Sequence, residues 1–250
     1  MKGSYYATIM SSYLQALYDK SEKQSTFEWP NIWPREDLLP SFRKTFEELC
    51  TMIIDIALLV ARACDRFADE VVEGYISGTM ERIVRESTTN RARLLHYFPP
   101  SGPSLGAEED DDSWCALHVD DGCLTGLTSA LFVDESSPLP SLTSTFKSVP
   151  SFHEPPDPLA GLYIRSRTSE VVKVNIPADC LAFQTGSALE KMTDGALKAV
   201  PHFVRGSNAG NAVARNTLAL FTQPNLEEVV DLKTGMTFGE HIRLSDEQHA

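Results

Sequence analysis

The sequence predicts an α+β chain with a mainly β core: a β-sandwich or jelly roll with helices packed outside it. Three observations carry this expectation. The N-terminal third holds one long pattern of helical period. After Arg91 the period of the apolar residues falls to two. These later runs are short and are separated by clusters of Gly, Pro, Asn and Asp. Short strands with turn residues between them, following helices, fit a sandwich or jelly roll.

Taken in order, residues 1–36 are polar and aromatic, with Pro30 and Pro34. They read as irregular, with a short helix over 11–18. From Pro40 onward Phe42, Phe46, Leu49, Ile53, Ile56, Val60, Ala63 and Phe67 recur at spacings of three and four. That is one apolar stripe of a long helix, and Pro40 stands where a helix can begin. A second helix is expected over 69–84. Strands are expected over 94–98, 114–119, 125–133, 162–166, 171–175, 180–184, 199–205 and 212–221. Two segments break the rhythm. Residues 108–112 are a run of Glu and Asp beside Gly and Pro, read as a solvated connection. Residues 134–158 are rich in Ser and Pro and poor in large apolar side chains, and read as a mobile loop inserted between strands and facing solvent. The chain so divides into a helical N-terminal segment (1–90), a jelly-roll core (91–225, with 134–158 inserted) and a C-terminal tail (226–250).

Composition bounds the function. The chain has 250 residues, 42% hydrophobic and 23% charged, enough to bury a real core. Lys and Arg total 22 against 35 Asp and Glu, a formal net charge of −13. So acidic a chain repels phosphate backbones and lacks the basic face of a membrane-surface protein. No apolar run reaches the roughly 18 residues of a membrane span, and the first residues form no apolar signal segment. The five cysteines are odd in number, scattered and without a CxxC pair, which reads as reduced thiols in the cytoplasm. The expectation is a monomer that handles a small molecule, with neither nucleic acid nor membrane as partner.

The informative unit is His118-Val119-Asp120. On a strand its two polar side chains share a face, because side chains alternate with period two. His202 lies in the later apolar run 200–204. Two imidazoles and one carboxylate form the facial triad of non-haem Fe(II) oxygenases, which leaves coordination positions open. Farther on comes Arg215-Asn216-Thr217. On a strand Arg215 and Thr217 share a face, and the surrounding Val213, Leu218, Leu220 and Phe221 are apolar. A guanidinium beside a hydroxyl is a clamp for a carboxylate, because Arg offers a planar bidentate fork. Cys115 and Cys123 read as small buried hydrophobes. Asp121 reads as a turn residue before Gly122. His153, His241 and His249 receive no role.

In this order the motifs resemble the isopenicillin N synthase-like branch of the Fe(II)- and 2-oxoglutarate-dependent dioxygenases. That family carries HxD, a distal His, then RxS. The family's Gly and Leu-Thr after HxD are matched by Gly122 and Leu124-Thr125. Its N-Y-[YF]-P segment is matched by His96-Tyr97-Phe98-Pro99, and its later Phe and Pro by Phe221 and Pro224. The resemblance spans roughly 38–225. Thr217 stands for the usual Ser and His96 for the usual Asn. The stretch from Asp120 to His202 is longer than the family's, with the 134–158 insertion expected to account for most of the excess, and the segment before the long helix is shorter.

The resemblance implies a double-stranded β-helix with Fe(II) bound by His118, Asp120 and His202. It implies that Arg215 and Thr217 hold the C5 carboxylate of 2-oxoglutarate and that Tyr97 contacts this co-substrate. With O2, 2-oxoglutarate would be oxidatively decarboxylated while a small organic substrate is hydroxylated or desaturated. Two alternatives stand beside it. One is a truncated, non-catalytic jelly-roll module that retains the metal ligands. The other is an oxidase that dispenses with 2-oxoglutarate, against which Arg215 and Thr217 argue.

Overall fold

A computed structural model of the chain describes residues 2–21, 30–99, 114–136, 151–152, 154–155, 157–207 and 212–249. In order the elements are β1 (Lys2–Thr8), α1 (Ser12–Ser21), α2 (Phe42–Val71), α3 (Thr79–Glu86), β2 (Arg91–Tyr97), β3 (Cys115–His118), β4 (Leu124–Thr128), β5 (Leu131–Asp134), β6 (Ser151–Phe152), β7 (Gly161–Arg165), β8 (Val171–Val174), β9 (Leu181–Thr185), α4 (Ser187–Met192), β10 (His202–Arg205), β11 (Val213–Thr222), β12 (Val229–Asp231), β13 (Met236–Thr237) and α5 (Phe238–His249).

Two antiparallel sheets result. The large one runs β1-β2-β11-β4-β9, with β5 beside β11 and β6 beside β5. The small one runs β3-β10-β7-β8. The chain crosses between the sheets repeatedly, from β2 to β3 to β4, from β6 to β7 and from β8 to β9 to β10 to β11, as in a jelly roll, and the sheets do not close into a barrel. One core fills the space between them, with Leu95, Phe132 and Ala219 of the large sheet facing Leu162 and Val204 of the small one. A second core lies on the other side of the large sheet, where Leu124, Leu218 and Leu220 pack against Ile53, Ile54 and Ala57 of α2. Each fully buried Ile or Leu is worth about 1.5–3 kcal/mol.

The long helix forms as expected, but its buried face differs. Phe46 and Ile53 are buried with Cys50, Ile54, Ala57, Ala61, Asp65 and Ala68. Ala63 and Phe67 of the expected stripe are exposed. The helix is apolar over two adjacent faces, and the core takes the one rotated roughly a quarter turn from the expected stripe. Small residues there let the helix axis come close to the sheet. The second helix starts at Thr79, later than expected, because α2 continues to Val71 and the chain then turns at Gly74 and Gly78, both at positive φ. Gly78 is the N-cap of α3 and has no side chain to cap with. Asp65 of α2 substitutes: its carboxylate accepts from Met80 N at 2.9 Å, Glu81 N at 2.8 Å and the Tyr75 hydroxyl at 2.6 Å.

Three further readings are corrected. Residues 2–8 form a strand, because β2 supplies an antiparallel partner for an otherwise weak pattern. The run 125–133 is two strands, β4 and β5, which pair with successive parts of the ten-residue β11. Beyond 225 the chain forms a β12–β13 hairpin and α5, with Val230 and Phe238 fully buried. The acidic run 108–112 and His153 lie outside the described residues, as does most of 134–158, of which 151–152 pairs with β5 as β6. Among the described residues no helix is long and apolar enough to cross a membrane.

Candidate functional site

The small sheet supplies both imidazoles. His118 ends β3 and His202 begins β10, and the strands pair so that the two residues face each other. Asp120 joins them from outside the strand. β3 stops at His118, so the carboxylate is aimed by the loop 119–123 and not by strand alternation. That loop is wedged in place. Ser187 N donates to Asp120 O at 2.8 Å, and Cys123 N donates to Thr222 O at 2.8 Å. A Cβ on Gly122 would lie 2.6 Å from Thr222 O, and one on Gly186 would strike Gly122 O. Glycine at both positions permits this close approach.

One ligand atom from each of His118, Asp120 and His202 lies within 4.8 Å of the others. Asp120 Oδ1 is 3.8 Å from Nε2 of His118 and 3.8 Å from Nε2 of His202. The Nδ1 atoms are engaged elsewhere: that of His118 is 2.7 Å from Ala116 O and that of His202 is 3.0 Å from Val200 O. A carbonyl only accepts, so each Nδ1 donates and each Nε2 keeps its lone pair on the side of Asp120; that of His202 also has Gln184 Nε2 at 3.1 Å. This is the tautomer a metal ligand needs. The other carboxylate oxygen of Asp120 accepts from Thr125 Oγ1 and from Gln184 Nε2, both at 2.6 Å. Burial lowers the pKa of His202, against the pull of Asp120. That of His118 is raised by the Cys115 thiol 4.0 Å from Nδ1, against its burial, with help from Ala116 O and Asp120.

The same cavity is walled by Arg215, Thr217 and Tyr97. Arg215 stands opposite Tyr97 in the β2–β11 register, and its Cζ is 5.5 Å from the Tyr97 ring centroid. Arg215 is 5% exposed, and its Nε has no hydrogen-bond partner among the described residues. Burial lowers its pKa, and no carboxylate pairs with it among the described residues. A buried guanidinium in this condition costs several kcal/mol unless an anion arrives. Burial also pushes the Tyr97 phenol up to about 12. The donor set of two neutral imidazoles and one carboxylate fits Fe(II), and the unpaired guanidinium fits the carboxylate of a co-substrate.

All six residues singled out in the sequence therefore line one cavity. His96 does not: it faces the other side of the sheet, with Nδ1 2.8 Å from Asn216 Oδ1. Sequence reasoning missed Gln184, whose only signal was a polar residue inside the apolar run Leu-Ala-Phe-Gln. It noticed Thr125 without assigning a role. It also missed Arg93, which lines the cavity from β2.

The fold is that of the 2-oxoglutarate/Fe(II) oxygenases. The chain superposes on a 2OG-Fe(II) oxygenase family protein from Caulobacter crescentus with a TM-score of 0.67 and 16% identity, over 100% of this chain and 70% of that one. It superposes on a full-length Neurospora crassa protein in complex with alpha-KG with a TM-score of 0.61 and 18% identity, over 98% and 65%. For JOX2 in complex with 2OG, Fe and JA the values are 0.61 and 16%, over 98% and 59%. The chain thus covers 59–70% of the length of these three structures. No family model and no curated protein matches the sequence. At such identities the likeness is one of fold.

Proposed function

We propose that the chain is an Fe(II)- and 2-oxoglutarate-dependent oxygenase of the isopenicillin N synthase-like branch, acting on a C–H bond of a small organic substrate by hydroxylation or desaturation. One observation carries the reading: a single cavity is walled both by an N,N,O ligand set and by a buried guanidinium that has no counter-ion among the described residues. The fold and the order of the sequence motifs support the same reading.

In this proposal His118, Asp120 and His202 hold Fe(II), and residues of the core 91–225 make every contact. The iron, when bound, couples oxidative decarboxylation of 2-oxoglutarate by O2, giving succinate and CO2, to oxidation of the substrate. The chain positions and shields this chemistry. Arg215 grips the distal carboxylate through two parallel N–H groups, with Thr217 beside it on the same face. Tyr97 stays protonated at neutral pH, supports the guanidinium with its ring and offers a phenol to the co-substrate. Gln184 and Thr125 bond one oxygen of Asp120 and leave Oδ1 directed at both imidazoles. The apolar wall of Leu95, Leu127 and Phe221 excludes water.

The test is Fe(II)-dependent formation of succinate from 2-oxoglutarate in air, screened against a library of small organic compounds. Turnover is expected, and His202→Ala is expected to abolish it. A protein that binds metal and 2-oxoglutarate without any succinate is a non-catalytic binding module instead.

A further inference from the structure

Charge is unevenly spread on the inner face of the large sheet. The register aligns Lys2, Tyr97 and Arg215 in one row and Ser4, Leu95 and Thr217 in the next. Tyr6, Arg93 and Ala219 follow, then Thr8, Arg91 and Phe221. Residues two apart on a strand share a face, so these rows all look toward the small sheet. Arg93, Leu95, Tyr97, Arg215, Thr217 and Ala219 do line the cavity. Lys2, Arg91, Arg93 and Arg215 are therefore on one face of a chain whose net charge is −13. Asp120 is the carboxylate in the cavity wall, and it belongs to the ligand set. A cationic cleft with apolar walls on an acidic body concentrates small anions.

Arg93 is held in place without being neutralised. Its Nε and Nη2 donate to the Ser4 hydroxyl at 3.1 and 2.9 Å, and its Cζ lies 5.1 Å from the Tyr6 ring centroid. Both partners are uncharged, and no carboxylate pairs with it among the described residues. The Ser4 contact occupies the Nε side of the fork and leaves the Nη1 side for another acceptor. Tyr6 is 49% exposed, and Lys2 and Arg91 are exposed, so solvent reaches the sheet beside Arg93, which itself lines the cavity.

Charge balance then points to the substrate. In the site proposed above, the metal dication and Arg215 are offset by Asp120 and the two carboxylates of 2-oxoglutarate. That sum is zero, and Arg93 is left over. We propose that the substrate oxidised is a small organic acid, whose carboxylate is bound by Arg93 in the cavity wall while Arg91 and Lys2 draw the anion in. This rests on Arg215 being the co-substrate clamp.

The test uses matched acids and primary amides: phenylacetate with phenylacetamide, benzoate with benzamide, octanoate with octanamide. Each is titrated by calorimetry into protein loaded with Zn(II) and 2-oxoglutarate, which makes the readout binding and not turnover. At least one acid is expected to bind about tenfold tighter than its amide, as one charge-assisted contact implies. Arg93→Gln is expected to erase that preference and Arg93→Lys to keep part of it, both with unchanged circular dichroism. The inference is overturned if no pair shows an acid preference, if the preference survives Arg93→Gln, or if Arg215→Gln erases it instead. Binding of 2-oxoglutarate to the Zn(II) protein is measured first. If it fails, the co-substrate reading fails separately, and the pairs titrated into the Zn(II) protein alone decide the role of Arg93.

Discussion

His118 and His202 are cross-strand partners. They face each other where β3 and β10 pair, with ring centroids 4.2 Å apart and planes inclined at 49°. Two imidazoles this close, each with Nδ1 on a backbone carbonyl, would repel if both were protonated. A cation between them would be bound by both Nε2 lone pairs, that of His202 now facing Gln184 Nε2 at 3.1 Å, and the two rings titrate differently.

Metal affinity is therefore expected to depend on pH through His118. Its pKa is raised, while burial keeps His202 neutral to lower pH. A ligand imidazole must be neutral, so below the raised pKa a proton competes with the metal. The apparent affinity for Co(II) is expected to fall about tenfold per pH unit below that value and to level off above it. Cys115→Ala removes the first contributor to the shift and should move the inflection to lower pH. An inflection that stays put in this variant, followed by the Co(II) absorption bands, would contradict the assignment.

Gln184 is expected to act through Asp120. Gln184→Leu keeps the volume but removes the 2.6 Å hydrogen bond. Loss of such an outer contact commonly costs 10–100-fold in metal affinity. The same range is expected here by calorimetry with Zn(II), with a smaller loss for Thr125→Val. Wild-type affinity in Gln184→Leu would show that Asp120 is oriented by its loop alone.

Arg215 carries opposite predictions for stability and binding. Arg215→Met removes a buried charge and retains an apolar stem, so urea unfolding of the metal-free protein should show a gain of about 1–3 kcal/mol. Binding of 2-oxoglutarate should be lost. Arg215→Lys keeps the charge but not the fork, and the Kd for 2-oxoglutarate should rise about tenfold with metal stoichiometry unchanged. Loss of stability in Arg215→Met would mean that the guanidinium is structurally paired.

Asp65 tests the scaffold independently of the site. It is 3% exposed and caps the first turn of α3 from α2. Asp65→Ala leaves one buried and one half-buried N–H group unpaired, with the Tyr75 hydroxyl, and should cost about 3 kcal/mol in urea unfolding. A change below about 0.5 kcal/mol would show that water replaces the carboxylate without penalty.

Much of the candidate site was legible because residue types in chain order suggest the chemistry proposed for it. His118, Asp120, His202, Arg215, Thr217 and Tyr97 were named from the sequence, and all line one cavity. Gln184 and Arg93 were not, since a lone Gln in an apolar run and an Arg at a strand start look ordinary. Their meaning depends on register: Gln184 stands beside Asp120 because β9 pairs with β4, opposite Thr125.

The sequence alone determined the long helix from residue 42, most of the strands and the polar residues fit for a metal and an anion, because periodicity and residue chemistry are local properties of the chain. The tertiary structure decided which of the two apolar faces of α2 meets the sheet, that 2–8 is a strand, and that His118 faces His202. These outcomes depend on partners distant in the chain. Periodicity shows that a face is apolar, but which neighbour covers it is settled only when both are packed and every backbone hydrogen bond has found its acceptor.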